Sequence, residues 1–364
     1  MSVIVAARRT AVAPVGGAFA ALSFHDLAAP VIRACLADAG LSGAQVDEVI
    51  VGNALGAGGN PGRLCALAAD LPERVPGLGL DRQCASGLDA VLLADALITA
   101  GRAELVIAGG AESASRRPLR LRTFPDGRAP EPYQQAAFTP WSDRDPDMAV
   151  AADALARQLG IPRAAQDAWA IDSHAKARTI GPGPEIATLE GLARDAFTRN
   201  LTAATCARAK VLQGGITTAN TAVAADGAAF VVVVSDRLAQ TLHGPQARIV
   251  AGRTLGGQPD LPGLAPVAAA QVALASARLR TTDLALAEIM EAYAAQAIAC
   301  VQGIGLDPAR VNRGGGALAR GHPIGASGAI LAVRLFHDLQ AAGGHGLAAI
   351  AAAGGIGTAL LLAV

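Results

Sequence analysis

A cysteine in the first half of the chain and a histidine in the second half stand beside the same short motif. Cys84 begins the segment Cys84-Ala85-Ser86-Gly87, and Ala-Ser-Gly returns in Gly325-Ala326-Ser327-Gly328. His322 lies three residues before the second copy. If one duplicated scaffold carries both copies, it brings a thiol against an imidazole, and such a pair can capture an acyl group. The spacing therefore predicts covalent acyl transfer.

Each of the two residues also has a plain structural interpretation. A thiol at the amino terminus of a helix meets unpaired N–H groups, which favour the thiolate, but a free cysteine is commonly a small buried hydrophobe. His322 lies on a glycine-rich turn before Pro323, where the backbone can approach a ligand closely. A turn histidine can equally serve only to hydrogen-bond that turn. The remaining cysteines and histidines are interpreted as structural or surface residues.

The elements that would position the pair repeat along the chain. The segments that begin at Cys84 and Gly325 each indicate a turn, a buried helix, a short apolar strand and a Gly-Gly turn, and hence two similar halves. Helices are expected at 148–159 and 163–178, and residues 114–213 are interpreted as an insertion in the first half. Short apolar strands alternate with helices and predict an α/β fold with mostly parallel sheets. These strands are 47–52, 104–109, 228–234, 286–290, 347–352 and 358–363.

Composition narrows the classes of function. The 364 residues carry a formal net charge of +0, which offers no general attraction to nucleic acid or an acidic membrane. The five cysteines are an odd number without metal-like spacing, and no segment indicates a signal peptide or a membrane span. We therefore expect a cytoplasmic protein with no metal, nucleic-acid or membrane partner. Dinucleotide binding is disfavoured because no Gly-x-Gly-x-x-Gly follows an early strand.

Six blocks of sequence occur in the order and at the spacing of a known family. They are DRQCASGLDAV, VIAGGAESAS, TTANTAVAADGAA, EIMEAYAAQAIA, VNRGGGALARGHPIGASGA and AAAGGIGTALLL. In these blocks the chain resembles the thiolase family. The resemblance implies two duplicated βαβαβαββ halves in a five-layer αβαβα sandwich, with a loop domain inserted over coenzyme A. We expect the first half at 1–113 plus 214–240, the loop domain at 114–213 and the second half at 241–364.

The resemblance also implies roles for individual residues. Cys84 matches the cysteine that attacks a thioester carbonyl and carries the acyl group, and His322 matches the histidine that activates it. The backbone N–H groups of Cys84 and Ala353 match an oxyanion hole, which stabilises charge on the thioester oxygen. The substrate-binding positions of the family match Met148, Ala222 and Gly354. An acyl-CoA substrate, no permanently bound cofactor, and a homodimer or homotetramer are implied as well.

Two positions depart from the family where its carbon chemistry takes place. Thiolases have a second cysteine near the carboxy terminus that moves a proton at the substrate α-carbon, and Ala351 stands in its place. In a related branch of the family the base cysteine comes from another position, which Ala292 occupies here, so that base is missing as well. The family's Asn-Glu-Ala-Phe block begins here with Met290, whose thioether cannot donate a hydrogen bond to the water that the asparagine holds. Losing one oxyanion contact typically slows a reaction by about 100- to 1,000-fold.

Smaller departures affect the coenzyme region. Asp147 replaces a histidine that many thiolases have, and Ala222 replaces a serine that often touches the coenzyme. A basic cluster could meet the coenzyme phosphates, although a basic loop is often only a solvated face. The cluster consists of Arg116, Arg117, Arg120 and Arg122.

Three hypotheses about function stay open. In the first, the chain is a thiolase-like acyltransferase that forms an acyl-enzyme on Cys84 and is impaired in Claisen condensation and thiolysis. In the second, it is a non-catalytic acyl-CoA-binding homologue or the silent subunit of a hetero-oligomeric thiolase. In the third, the substrate carries its own base or a more acidic carbon. The sequence does not fix the acyl chain length, the acceptor or the direction of reaction.

Overall fold

Ten strands of the described residues share one mixed sheet. The computed structural model describes residues 2–56, 58–181 and 183–364; Met1, Ala57 and Pro182, which fall inside the predicted ranges of the first half and the loop domain, lie outside the described residues. The strands are β1 (Ser2–Arg9), β2 (Ala13–Pro14), β3 (Glu48–Gly52), β4 (Gly77–Leu80), β5 (Leu105–Ser113), β6 (Arg120–Arg122), β7 (Glu131–Tyr133), β8 (Val211–Gln213), β9 (Ile216–Thr217), β10 (Ala225–Ser235), β11 (Ala247–Gly256), β12 (Leu284–Ile289), β13 (His345–Ala352) and β14 (Ile356–Ala363). The helices are α1 (Phe24–Ala39), α2 (Pro61–Ala68), α3 (Ser86–Thr99), α4 (Met148–Gln158), α5 (Arg163–Thr179), α6 (Ala203–Ala207), α7 (Asp236–Ala239), α8 (Ala265–Ala277), α9 (Ala294–Ile304), α10 (Ala317–Arg320) and α11 (Ile324–Ala342).

The large sheet contains two runs of strands with the same pairing pattern. In the first run β3 is parallel to β5, β5 is antiparallel to β10, and β10 is antiparallel to β1. In the second run β12 is parallel to β13, β13 is antiparallel to β14, and β14 is antiparallel to β11. The runs meet where β1 and β11 pair through Val3–Arg248 and Ile4–Ala247. The duplication seen in the sequence therefore appears as two similar halves of one sheet.

The prediction of mostly parallel pairing is wrong. Parallel neighbours occur only where a helix crosses over between two strands, as between β3 and β5 or between β12 and β13. The centre of each half is antiparallel, because β13 and β14 form a tight hairpin and β10 returns beside β5 after the long excursion between them. An apolar strand buried on both faces looks the same in sequence for either direction of pairing. The predicted strand positions, in contrast, agree with the structure.

Alternate side chains of the central strands enter different cores, and this defines the layers. In β10, Val231 packs in the core that holds α3 and α11, whereas Val232 packs in the core beneath α1 and α2. In β14, Leu360 faces α3 and α11, whereas Leu361 joins the core of α8 and α9. Successive strand residues point to opposite faces, so each half-sheet separates two helix layers. The five-layer αβαβα arrangement is confirmed.

The excursion between β5 and β10 contains α4, α5 and α6 together with the short ribbons β6–β7 and β8–β9. Both predicted helices are confirmed within a residue or two, as α4 and α5. α4 packs against α9, and α5 packs against α9 and α10. The excursion thus leaves the first half and covers elements of the second.

The two central helices approach each other at the glycines of the repeated motif. A Cβ atom on Gly87 of α3 would lie 2.8 Å from the backbone N of Ala329 and 2.8 Å from the Gly325 carbonyl oxygen. A Cβ atom on Gly328 of α11 would lie 2.6 Å from the backbone N of Leu88. Only glycine permits this distance, so the repeat places the amino-terminal ends of the two helices side by side.

We expect Gly328→Ala to lower the free energy of unfolding by about 1–3 kcal/mol, the usual cost of overpacking a close contact. Urea denaturation measures the change. Gly256→Ala is the matched control, because a methyl group there meets nothing within 4 Å. Unchanged stability of Gly328→Ala would contradict the helix contact as a packing constraint.

Candidate active site

Cys84 lies on a tight turn between β4 and α3. Gln83 has a φ of 52°, in the left-handed region that few residues other than glycine adopt. The Ser86 hydroxyl holds this turn, since it accepts a hydrogen bond from the Arg82 N–H at 2.8 Å and donates one to the Gln83 carbonyl at 2.6 Å. Helix α3 begins at Ser86, so Cys84 precedes the helix by two residues instead of starting it.

His322 lies on the segment that leads into α11, with its ring against the thiol. Its Nε2 atom is 3.1 Å from the Sγ atom of Cys84, and its Nδ1 atom is 2.6 Å from the Ser327 hydroxyl. The Ser327 hydroxyl donates its only proton to the Pro323 carbonyl at 2.9 Å. It therefore accepts from Nδ1–H, which leaves the lone pair of Nε2 facing Cys84. The two serines of the repeat thus orient the two reactive side chains.

Burial favours the neutral form of both reactive groups. The pKa of Cys84 is raised to about 12, chiefly by desolvation; the charges of Glu112 and Asp81 contribute to the rise, while the backbone N–H groups of Cys84 and Ala353 oppose it. Burial lowers the pKa of His322 to about 4. Both shifts favour a thiol beside a neutral imidazole and oppose the thiolate expected at a helix terminus. Loss of water outweighs the few N–H groups at the turn.

The pair opens onto a cavity of about 440 Å³. Six of the predicted site residues line it: Cys84, His322, Ala351, Ala353, Met148 and Ala222. Met290 and Gly354 are not among the lining residues. Met290 is 1% exposed within the central core, and a Cβ atom on Gly354 would lie 3.0 Å from the Phe138 carbonyl oxygen. The structure therefore brings the predicted thiol, imidazole, base position and N–H donors together, with Met290 buried outside the cavity wall.

Two buried carboxylates that sequence reasoning missed hold the loops around the pair. Glu112 accepts hydrogen bonds from the N–H groups of Ala54 and Gly325 at 2.9 and 2.8 Å, and burial raises its pKa to about 7. Glu291 accepts from Trp169 Nε1 at 3.0 Å and from the Leu318 N–H at 3.2 Å. Their signal in the sequence was an acidic residue within or just after an apolar strand, where an unpaired charge would be costly.

Other cavity residues refine the interpretation of the coenzyme region. Of the predicted arginine cluster, Arg117 and Arg120 line the cavity, and Arg120 Nη2 also donates to the Leu55 carbonyl at 2.8 Å. Tyr293, which sequence reasoning assigned no role, lines it too. Asp147 caps α4 by accepting a hydrogen bond from the Ala149 N–H at 2.8 Å.

The described part of the chain has neither a cluster of three metal-ligating side chains nor a membrane-spanning helix. No group of three or more His, Cys, Asp or Glu side chains there could hold a metal ion. None of its helices has the length and apolar character needed to cross a membrane. All five cysteines are free thiols.

The raised pKa of Cys84 predicts slow alkylation that accelerates with pH. Because the thiolate is the nucleophile, labelling of Cys84 by iodoacetamide should rise by about tenfold per pH unit across roughly pH 7–10 without a plateau. Peptide mass spectrometry measures the rate, and Cys84→Ser identifies the background from the four other thiols. A plateau reached below pH 7 would instead indicate a preformed thiolate–imidazolium pair.

Comparison with protein families supports the resemblance seen in the sequence. The family description "Thiolase, N-terminal domain" matches residues 2–182. The description "Thiolase, C-terminal domain" matches residues 243–364. Together these two ranges span most of the chain.

Individual proteins match over nearly the full length. The putative acetyl-CoA C-acetyltransferase YhfS of Bacillus subtilis is 41% identical over 377 residues, covering 100% of this chain and 99% of that protein. An acetyl-CoA acetyltransferase of Cupriavidus necator is 38% identical, with 98% of each chain covered. The crystal structure of the Bacillus anthracis acetyl-CoA acetyltransferase superposes with a TM-score of 0.90 at 30% identity, covering 100% of this chain and 98% of that one. With its fold, motifs and relatives in agreement, the chain belongs to the thiolase family of acyltransferases.

Proposed function

We propose that this protein takes an acyl group from an acyl-CoA thioester onto Cys84, with His322 as the activating partner. The observation that carries the proposal is the 3.1 Å contact between His322 Nε2 and Cys84 Sγ, with the imidazole oriented through Nδ1. A nucleophile, a base and a group that orients the base form the usual arrangement for nucleophilic catalysis.

The neutral resting pair fits a concerted acylation step. As Sγ bonds to the thioester carbonyl carbon, the thiol proton passes to Nε2. Collapse of the tetrahedral adduct breaks the bond to the sulfur of coenzyme A, which leaves as a thiolate and takes the proton back from the imidazolium. The products are S-acyl-Cys84 and free coenzyme A. A thiol with a pKa of about 12 and an imidazole with a pKa of about 4 disfavour an ion pair before substrate arrives.

The backbone N–H groups of Cys84 and Ala353 are proposed as the oxyanion donors. Both already interact with the Cys84 thiol and lower its pKa. Fixed N–H donors in a water-poor cavity stabilise the negative oxygen of the adduct without having to reorganise. Met148 and Ala222 on the wall and the guanidinium groups of Arg117 and Arg120 are proposed to receive coenzyme A as a substrate.

Claisen condensation and thiolysis are proposed to be impaired. Ala351 lies on the cavity wall where the family resemblance puts the base cysteine, and a methyl group cannot carry a proton. Met290 is buried and its thioether donates no hydrogen bond. These two positions also favour the second candidate, a non-catalytic acyl-CoA-binding homologue or silent subunit, which would bind the thioester without forming an adduct.

We also propose that the protein is a homodimer or homotetramer and resides in the cytoplasm. A homodimer or homotetramer is supported by β4, which ends the large sheet, and by exposed apolar side chains on or near this edge. These side chains are Leu64, Leu67 and Leu78. Free thiols at all five cysteines fit a reducing compartment such as the cytoplasm.

Incubation with acetyl-CoA should add one acetyl group to the peptide that contains Cys84, as measured by mass spectrometry. Cys84→Ala should remain unlabelled. His322→Asn should slow labelling by about 100- to 10,000-fold, because it removes the base. Absence of an adduct on the wild type at saturating acetyl-CoA, with binding still detected by calorimetry, would exclude the acyltransferase and favour the non-catalytic candidate.

Restoring a proton carrier should restore carbon chemistry. We expect Ala351→Cys to raise the rate of thiolysis of acetoacetyl-CoA by about 100-fold or more over the wild type, measured by loss of substrate absorbance. Ala351→Ser is the matched control, since it adds a similar atom with a far weaker base. A wild-type rate equal to that of Ala351→Cys would contradict the proposed impairment.

A further inference from the structure

A second cavity, of about 450 Å³, shares no lining residue with the cavity at Cys84. It lies between the start of the chain, the segment after α5 and the glycine-rich segment before α10. Six guanidinium groups and only two carboxylates line it. They are Arg9, Arg178, Arg194, Arg199, Arg320 and Arg334, with Glu185 and Asp195. Its wall therefore carries an excess of positive charge.

Two of the buried cations in this cavity are well paired. Arg9 is 3% exposed and forms ion pairs with Glu185 and Asp195, each at 2.7 Å. Arg334 is 5% exposed and forms ion pairs with Glu185 at 2.6 Å and with Asp338 at 3.0 Å. Arg9 and Arg334 thus share three carboxylates, two of which belong to the wall of the cavity.

Arg320 is buried, and its one ion pair among the described residues is long. It is 3% exposed, donates to the Gly315 carbonyl at 2.8 Å, and has only a long contact of 3.7 Å with Glu288. Burial raises the pKa of Glu288, although the charges of Arg334 and Arg320 oppose this effect. Burial also lowers the pKa of Arg320, and the charges of Glu288 and Asp195 offset this effect only in part. A buried charge of this kind is costly unless an opposite charge meets it.

Unused hydrogen-bond donors belong to the same wall. Among the described residues, Arg199 Nη1 and Arg334 Nε are buried atoms without a hydrogen-bond partner. Burial lowers the pKa of Arg199, whose guanidinium stacks 4.0 Å from the centre of the Phe197 ring. A planar guanidinium fixed by stacking is well suited to bind an oxyanion with two parallel N–H groups.

We propose that this cavity is a binding site for a small multivalent oxyanion, a phosphate or a dicarboxylate, held by Arg199, Arg320 and neighbouring guanidinium groups. Such an anion supplies negative charge to a wall rich in guanidinium groups and acceptors for the unused N–H groups. Binding at this site does not depend on the acyl transfer proposed above.

The proposed anion site is connected to the reactive imidazole through the backbone that follows Arg320. Arg320 ends α10, and Gly321 alone separates it from His322. The Gly321 N–H donates to the Ala317 carbonyl at 2.7 Å, and the His322 N–H donates to the Val223 carbonyl at 2.8 Å. An anion that fixes Arg320 therefore stabilises the short segment from which His322 projects.

Thermal unfolding and isothermal titration calorimetry with sodium phosphate and with sodium succinate test the proposal, with sodium chloride at equal ionic strength as the reference. We expect a saturable rise in Tm with phosphate or succinate, and the better of the two identifies the class of oxyanion. Arg199→Gln, at a half-buried position, should weaken binding by about tenfold, the effect of losing one charge-assisted contact. Arg320→Leu should do the same.

Two control variants separate this site from other arginines. Arg237→Gln changes an arginine that is 81% exposed and far from the cavity in the fold, and it should leave the affinity unchanged. Arg117→Gln changes the wall of the Cys84 cavity and should leave it unchanged as well. The proposal is overturned if neither anion stabilises the protein more than chloride does. It is also overturned if Arg199→Gln binds as tightly as Arg237→Gln, or if only Arg117→Gln loses binding.

Discussion

The close contact between α3 and α11 is the constraint on which the rest of the site depends. Gly87 and Gly328 carry no side chain, so the two helices approach until backbone atoms nearly touch. Each helix begins just after a reactive residue, and the contact therefore holds Cys84 and His322 within hydrogen-bond distance. Ser86 and Ser327 then complete the geometry, one by holding the turn of the thiol and the other by orienting the imidazole. In each half, one short motif thus supplies a glycine for the helix contact and a serine that positions the reactive residue.

Burial disfavours charge in the site before the substrate binds, but it strengthens the contacts that stabilise the negative oxygen of the acylation adduct. An environment poor in water raises the pKa of Cys84 and lowers that of His322, so charge separation before substrate binding is disfavoured. The same environment strengthens the hydrogen bonds that backbone N–H groups make to a negative oxygen. The buried Glu112 adds to the first effect, yet it also ties the loop at Ala54 to the beginning of α11. The position of the loops and the reactivity of the thiol are therefore coupled.

Backbone and side-chain contributions respond differently to substitution at this site. An N–H donor survives any replacement other than proline, so the proposed donor at Ala353 does not depend on its side chain. A proton carrier is lost when its side chain is lost, as at Ala351. The proposed acylation step therefore uses groups that the chain has, whereas Ala351 and Met290 replace groups that the family resemblance assigns to carbon–carbon chemistry.

The sequence by itself determined the family, the approximate strand and helix positions, and the pairing of Cys84 with His322. These follow from signals that can be identified along the linear sequence, namely apolar runs, glycine turns and a repeated motif. Tertiary structure alone decided the antiparallel centre of each half-sheet, the desolvation of the thiol, the burial of Met290 outside the cavity wall, and the gathering of distant arginines around one cavity. Strand direction, desolvation and net charge in a cavity arise from residues far apart in the chain. No local pattern encodes them, because each depends on which surfaces exclude water from one another once the layers have packed.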